Sequence, residues 1–308
     1  MENLHEKVTS VRNSRNQGIL MADRPRFGPA GVPPLFRLLK ATLADVPRLL
    51  REEGLDAFEY EAVHWGKTPQ VKKEDAEKLG SAAKENDVWL SLHGSYFINL
   101  CGEKSIADAS KQRLIACATA AEWMNAHVVV FHPGFYGKRT PREAFEVCLT
   151  AMKEVVQVLQ AIGVRNAKIG PETMGRPHQL GSLEEILQMC EAVEQTQLVI
   201  DWSHLHARNR GLFKTIQDFR KVIEKIENRL GSKSVRNMHC HFTKIEYTDK
   251  GERRHHMLDE TRYGPQFEML AEVIAEFKLN PVIISESPIL DLDAIRMRDT
   301  LRKVLSES

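Results

Sequence analysis

Short runs of apolar, largely β-branched residues alternate along the chain with longer stretches whose apolar positions recur every three or four residues. The short runs predict strands near residues 26–30, 56–61, 88–93, 127–132, 167–172, 197–201, 235–241 and 281–286. The periodic stretches predict helices near 42–53, 70–86, 105–124, 141–162, 182–194, 213–229, 264–278 and 291–305. Pro141 and Ser182 are good helix starts, and Gly54, Gly163 and Gly231 good stops. Strands that alternate with helices imply a parallel sheet. Eight such units in about 280 residues fit a single-domain α/β fold, the (β/α)8 TIM barrel. The alternative is a doubly wound open sheet, which would carry a glycine-rich phosphate loop after its first strand. Gly28-Pro29-Ala30-Gly31 does not follow that GxGxxG pattern. Residues 1–24 are polar and aperiodic and are expected to form a flexible tail, with Met21 an alternative start. The barrel is expected over 25–308.

Composition narrows the class. Hydrophobic residues make up 42% of the 308 residues, too many for a disordered chain. No run approaches the roughly 18 apolar residues of a membrane span, and the N-terminus has no apolar signal segment. The five cysteines are scattered and form no CxxC, which points to reduced thiols in a cytoplasmic setting and excludes a thiolate zinc cluster. A net charge of +1 excludes a strongly basic coat but leaves room for a local basic rim.

The polar residues that end the predicted strands carry the chemistry. Strand 3 ends at His93, strand 4 at His132, strand 5 at Glu172 and strand 6 at Asp201, with His204 just beyond; strand 7 carries His239 and His241, and strand 8 ends at Glu286. Successive positions lie about one β/α unit apart. In an α/β barrel all these strand ends converge on one mouth. A single histidine at a strand end is more often a hydrogen-bonded core residue than a ligand. Six consecutive strands aiming imidazoles and carboxylates at one volume are different, because that crowding is costly without a divalent cation to compensate it. His5, His64, His127, His178 and His206 have no such pattern and read as tail, surface or core residues. Cys240 faces away from its neighbours 239 and 241 and reads as packing.

These segments resemble endonuclease IV, the apurinic/apyrimidinic endonuclease family built on a xylose-isomerase-like barrel. The resemblance runs from about Arg26 to Arg298. It is carried by His93-Gly94-Ser95-Tyr96-Phe97-Ile98-Asn99-Leu100, Phe131-His132-Pro133-Gly134, Asp201-Trp202-Ser203-His204, Met238-His239-Cys240-His241-Phe242-Thr243-Lys244 and Ser285-Glu286-Ser287-Pro288. It implies a zinc cluster of two or three ions, with manganese possible on the same donors, that cuts the phosphodiester bond 5′ to an abasic site and leaves a 3′-hydroxyl. His93, His132 and Glu172 would hold the first ion. Glu172 would bridge to a second, completed by Asp201, His239 and Glu286, and Glu172 and Glu286 would be catalytic. His204 would hold a third ion with His255 of the loop after strand 7. That loop departs from the family, because Arg253 stands where an aspartate ligand is usual. Glu252 and His241 are the candidate substitutes; His241 shares a strand face with His239, and the family has Asn there. Glu172-Thr173-Met174-Gly175 is one residue shorter than usual.

The resemblance also implies a partner, double-stranded DNA carrying abasic or related lesions, bound by a monomer with no membrane association. Tyr96 and Phe97 match a loop that enters the duplex. Lys138, Arg139 and Arg176, with Arg208, Arg210, Lys244, Arg253 and Arg254, fall in predicted βα loops on the same face and are expected to form a phosphate-binding rim. Two other readings compete. A sugar isomerase or epimerase would use one ion at Glu172, Asp201, His239 and Glu286 and leave His93, His132 and His204 without work. A non-catalytic lesion-binding protein would account for the altered third-metal loop.

Overall fold

A computed structural model describes residues 22–307; the tail expected over residues 1–24 falls, up to residue 21, outside the described residues. Ala22 is buried, and Arg24 reaches Asp56 and Asp87.

Eight parallel strands form the centre: β1 (Arg26–Pro29), β2 (Ala57–Glu61), β3 (Trp89–His93), β4 (Val128–Phe131), β5 (Lys168–Pro171), β6 (Val199–Asp201), β7 (His239–Phe242) and β8 (Val282–Ser285). They pair in two runs, β1-β8-β7-β6 and β2-β3-β4-β5. Parallel bridges join the runs at Ala30–Glu59 on one side and at Ile169–Thr196 and Glu172–Val199 on the other. The sheet therefore closes into the expected TIM barrel. A helix follows each strand, including Lys104–Met124 after β3 and Pro141–Ala161 after β4. Capping boxes start four of the predicted helical stretches: Thr42 with Asp45, Thr140 with Glu143, Ser182 with Glu185 and Thr215 with Asp218.

Three features go beyond the sequence reading. A short helix, Trp202–Arg208, begins directly at the end of β6. A hairpin, Lys244–Thr248 with Gly251–His256, follows β7. Residues 235–238, expected in strand 7, lie ahead of it; Ser232–Arg236 is a helical turn.

Strand alternation explains what fills the barrel. Phe58, Leu92, Val129, Phe131, Ile169, Ile200, Cys240, Phe242 and Ile283 point outward into one large core under the helices. Ala57, Val282 and Ile284 point inward and pack together, as do Val128, Val130 and Val199. On four of the strands the next inward position, one step toward the C-terminal end, is polar: Glu59 on β2, His132 after β4, Asp201 on β6 and Glu286 after β8. An apolar plug thus fills much of the lower barrel, and ionisable side chains gather above it.

Candidate metal centre

The motif loops are locked to each other before any side chain reaches the site. Gly94 N–H donates to Val130 C=O at 2.7 Å, and Leu100 N–H to Pro133 C=O at 2.9 Å. Gly134 sits at φ +135°, and a Cβ there would fall 2.2 Å from Asn99 Oδ1. The glycine is therefore required for the loops after β3 and β4 to interlock and hold His93 beside His132. Asp201 caps the helix that follows it: its carboxylate accepts from His204 N–H at 2.7 Å, which puts His204 one turn above Asp201 on the same side.

Glu172 is the hub. It is fully buried, and His132 Nε2 lies 3.1 Å from its Oε2, His93 Nε2 3.6 Å from the same oxygen, and His204 Nδ1 3.1 Å from Oε1. His241 Nδ1 lies 3.4 Å from Glu172 Oε1 and 3.2 Å from Glu286 Oε1. Burial would raise the Glu172 pKa, but His241 and His132 hold it well below the usual carboxylate range. Burial would likewise discharge His204 and His241. The carboxylates around them, Asp201 and Glu252 for the first, Glu59 and Glu286 for the second, raise both well above an ordinary histidine. Asp201 is pushed up to about 6, by burial and then by Glu286 and Glu172. A field that holds protons on buried imidazoles attracts divalent cations for the same reason.

The donors fit such ions. Three overlapping groups each bring ligand atoms within 4.8 Å of one another: His93, His132 and Glu172; Glu172, Asp201, His241 and Glu286; and His204, His255 and Glu286. Both Glu172 oxygens, Asp201 Oδ2 and both His241 nitrogens are buried without an aligned hydrogen bond. Orphaned atoms of this kind are costly unless a cation takes them.

The expected ligand set needs one correction. His241 occupies the place assigned to His239. On β7, His241 is level with Asp201, whereas His239 is level with Val199, two residues deeper. His239 bonds instead to Glu59 Oε2 at 3.1 Å and to His127 at 3.2 Å. Glu252 does come to the site, with Oε2 3.4 Å from His204 Nε2. It can because Gly175 lacks a side chain; a Cβ there would fall 2.2 Å from that oxygen. His255 sits with its Nδ1 3.1 Å from the Glu286 carbonyl. Arg253 points out to Glu246, and His256 turns away to Glu260. Glu59, absent from the sequence reading, is buried beside His241. A lone acid at the third position of an otherwise apolar strand start, Ala57-Phe58-Glu59, was its available signal.

The rim is smaller than expected. Tyr96 and Phe97 are 52% and 58% exposed at the mouth, and Tyr96 stacks on His132 with ring centres 5.7 Å apart. Lys138 is exposed, and Arg176 lies 3.6 Å from Glu252. Arg139 donates to the Cys101 carbonyl, Arg208 clamps the carbonyls of Arg176 and Gln179, and buried Lys244 donates to the Glu260 carbonyl. Those three cations hold loops, because backbone oxygens lie within their reach.

A family model described as a xylose isomerase-like TIM barrel matches residues 47–304. An uncharacterised protein of Methanocaldococcus jannaschii is 33% identical over 270 residues, 87% of this chain and 94% of that one. A probable endonuclease 4 of the Aster yellows witches'-broom phytoplasma is 27% identical over 221 residues, 68% of this chain and 70% of that one. Among solved structures, endonuclease IV from Thermus thermophilus superposes with a TM-score of 0.65 at 20% identity, covering 86% of this chain and 95% of that one. A D-tagatose 3-epimerase-like protein superposes at 0.63 with 18% identity, covering 86% and 94%. Among the described residues, no helix is long and apolar enough to cross a membrane.

Proposed function

This chain belongs to the xylose isomerase-like TIM barrel family, and we propose that within it the protein is a metal-dependent endonuclease that cuts duplex DNA 5′ to an abasic site and leaves a 3′-hydroxyl. The observation that carries this reading is the side-by-side arrangement of three ligand groups that share Glu172 and Glu286. A sugar isomerase needs one ion. A phosphodiester suits two or three, because charge develops on both the attacking and the leaving oxygen. When bound, divalent zinc, or manganese on the same N/O donors, lowers the pKa of water and neutralises the phosphoryl oxygens.

The chain's own residues set the geometry. Glu172, buried and ionised, spans two ligand groups and fixes the spacing between them. Asp201 orients His204 through the helix cap. Tyr96 stacks beside His132 at the mouth, where its phenol, protonated at neutral pH, donates to a phosphate oxygen. Phe97 offers an apolar face where a base is missing, and an abasic nucleotide costs less to extrude than a paired one. Lys138 and Arg176 meet the backbone phosphates.

The test is a labelled duplex with one synthetic abasic site, given Zn²⁺ or Mn²⁺, with a chelator control. A nick immediately 5′ of the site is expected from the wild-type protein, and a rate more than about 100-fold lower from Glu172→Gln. Undiminished cutting by a folded Glu172→Gln variant would overturn the assigned chemistry. One observation favours a second reading: Glu172, Asp201, His241 and Glu286 form a complete one-ion set by themselves. One tightly held ion per chain, with ketose epimerisation and no nick, would establish a sugar epimerase instead.

A further inference from the structure

We propose that Glu59 is itself a metal ligand, and that with His93, His241 and Glu286 it forms an inner cation position beneath the Glu172 hub. This rests on the reading of the barrel mouth as a metal centre and adds a position to it, at which the single lone pair of each neutral ring, His93 and His241, serves the inner ion and leaves His132, Glu172 and Asp201 to the ions above.

Glu59 lies on β2 level with Ser91, two residues below Glu61, the partner of His93. It is fully buried, directly above the apolar plug of Ala57, Val282 and Ile284. A carboxylate in such a place must be compensated. Only one of its oxygens is compensated by hydrogen bonds: Oε2 accepts from Ser91 Oγ at 2.8 Å and meets His239 Nε2 at 3.1 Å. Oε1 has no hydrogen bond.

His241 Nε2 is 3.0 Å from Glu59 Oε1, yet the two are not aligned as donor and acceptor, and both are left orphaned. That combination has a simple explanation. Two ligand atoms, each about 2.0–2.1 Å from one ion, lie about 2.9 Å apart at octahedral angles and about 3.3 Å apart at tetrahedral ones. Their lone pairs then point at the ion and not at each other. Were Glu59 only an acceptor that orients His241, Oε1 would lie along the Nε2–H bond.

The remaining donors are prepared for the same point. His93 Nδ1 lies 3.0 Å from the Gly94 carbonyl, which only a protonated nitrogen can satisfy, so Nε2 keeps a free lone pair in the neutral ring. Ligand atoms of Glu59, His93, His241 and Glu286 all fall within 4.8 Å of one another. Behind Glu59, His239 is held by His127, which in turn lies 2.8 Å from the Leu90 carbonyl. Two imidazoles and two carboxylates suit Zn²⁺, Co²⁺ or Mn²⁺ and not a thiophilic ion.

The deciding experiment is an anomalous difference map from crystals of the wild-type protein soaked in Co²⁺. A peak about 2.0–2.3 Å from Glu59 Oε1 is expected. Peaks around Glu172 with none at Glu59 would overturn the inner position and leave the metal centre standing; no peak at any strand end would overturn both. Counting Co²⁺ after gel filtration provides a second measurement. Glu59→Gln is expected to hold one ion fewer per chain than the wild type, and an unchanged count would overturn the proposal. Should that variant fail to fold, the wild-type map decides alone.

Discussion

Metal uptake at this centre should release protons, and the affinity should climb with pH. Burial alone would keep His93 neutral, but its contact with Glu172 and the field of Glu59 raise its pKa to about 9. His204 and His241 are also raised well above the ordinary histidine range. Below those values the rings carry protons, and a cation binds only the neutral ring. For His93 alone, two pH units between its pKa and pH 7 cost a competing ion about 3 kcal/mol, roughly a hundredfold in apparent Kd. The sign is fixed: the proton competes below pH 9 and is gone above it. Apparent affinity should therefore rise about tenfold per pH unit for each proton displaced. The assay is calorimetric titration of Mn²⁺ into chelator-stripped protein between pH 6.5 and 8.5, in two buffers of different ionisation enthalpy. The slope of heat against buffer enthalpy counts the protons, and between about one and three per chain are expected at pH 7. Affinity that is flat with pH, with no proton released, would refute the picture of imidazoles charged by a carboxylate field.

Three other outcomes follow from particular contacts. His239→Asn should keep the wild-type ion count while His241→Asn loses at least one ion, because only His241 is level with Asp201; elemental analysis of the purified variants decides. Gly134→Ala should destabilise the fold by about 2–4 kcal/mol in urea, from a strained φ and displacement of Asn99; equal stability would mean the two motif loops are not interlocked. His206, buried against Phe213, has its pKa lowered to about 4 by burial and then by Lys214. Its neutral form favours the folded state, so stability is complete above pH 6.5 and should fall by about 3 kcal/mol as pH drops toward 4. His206→Gln should flatten that slope in urea melts, and an unchanged slope would assign it to other groups.

The barrel was legible because its signal repeats. Eight strand–helix units each carry a period that one residue's substitution does not erase. The interior polar tier was legible where it fell at strand ends, as with His93, His132, Glu172, Asp201 and Glu286. It was misread on β7, where two histidines share a face and only the register against β6 tells which one reaches the mouth. Register depends on partner strands distant in sequence, so local pattern could not choose between His239 and His241. The hairpin Lys244–Thr248 with Gly251–His256 was missed for another reason. Its second strand, Gly251-Glu252-Arg253-Arg254-His255-His256, is polar on both faces and shows no alternation. One face meets the metal centre and the other meets solvent, and both favour charge. The rim was overcounted because a cation's place in a loop says nothing about which oxygen satisfies it; Arg139, Arg208 and Lys244 each found a carbonyl first.

The choice between the two chemistries this barrel can support comes down to where its histidines stand. The ligands on β5, β6, β7 and β8 form one four-member group, and a single ion there serves a sugar as well as a phosphate. The other half of the mouth is different. His93 and His132 come from β3 and β4 on loops held together at Gly134 and Asn99. His204 and His255 come from the helix after β6 and the hairpin after β7, and Glu252 joins them across Gly175. None of these is needed for one ion, and each costs burial of a polar ring. The proposed phosphodiester substrate would account for such side-by-side ligand groups, because it needs charge neutralised at several oxygens at once.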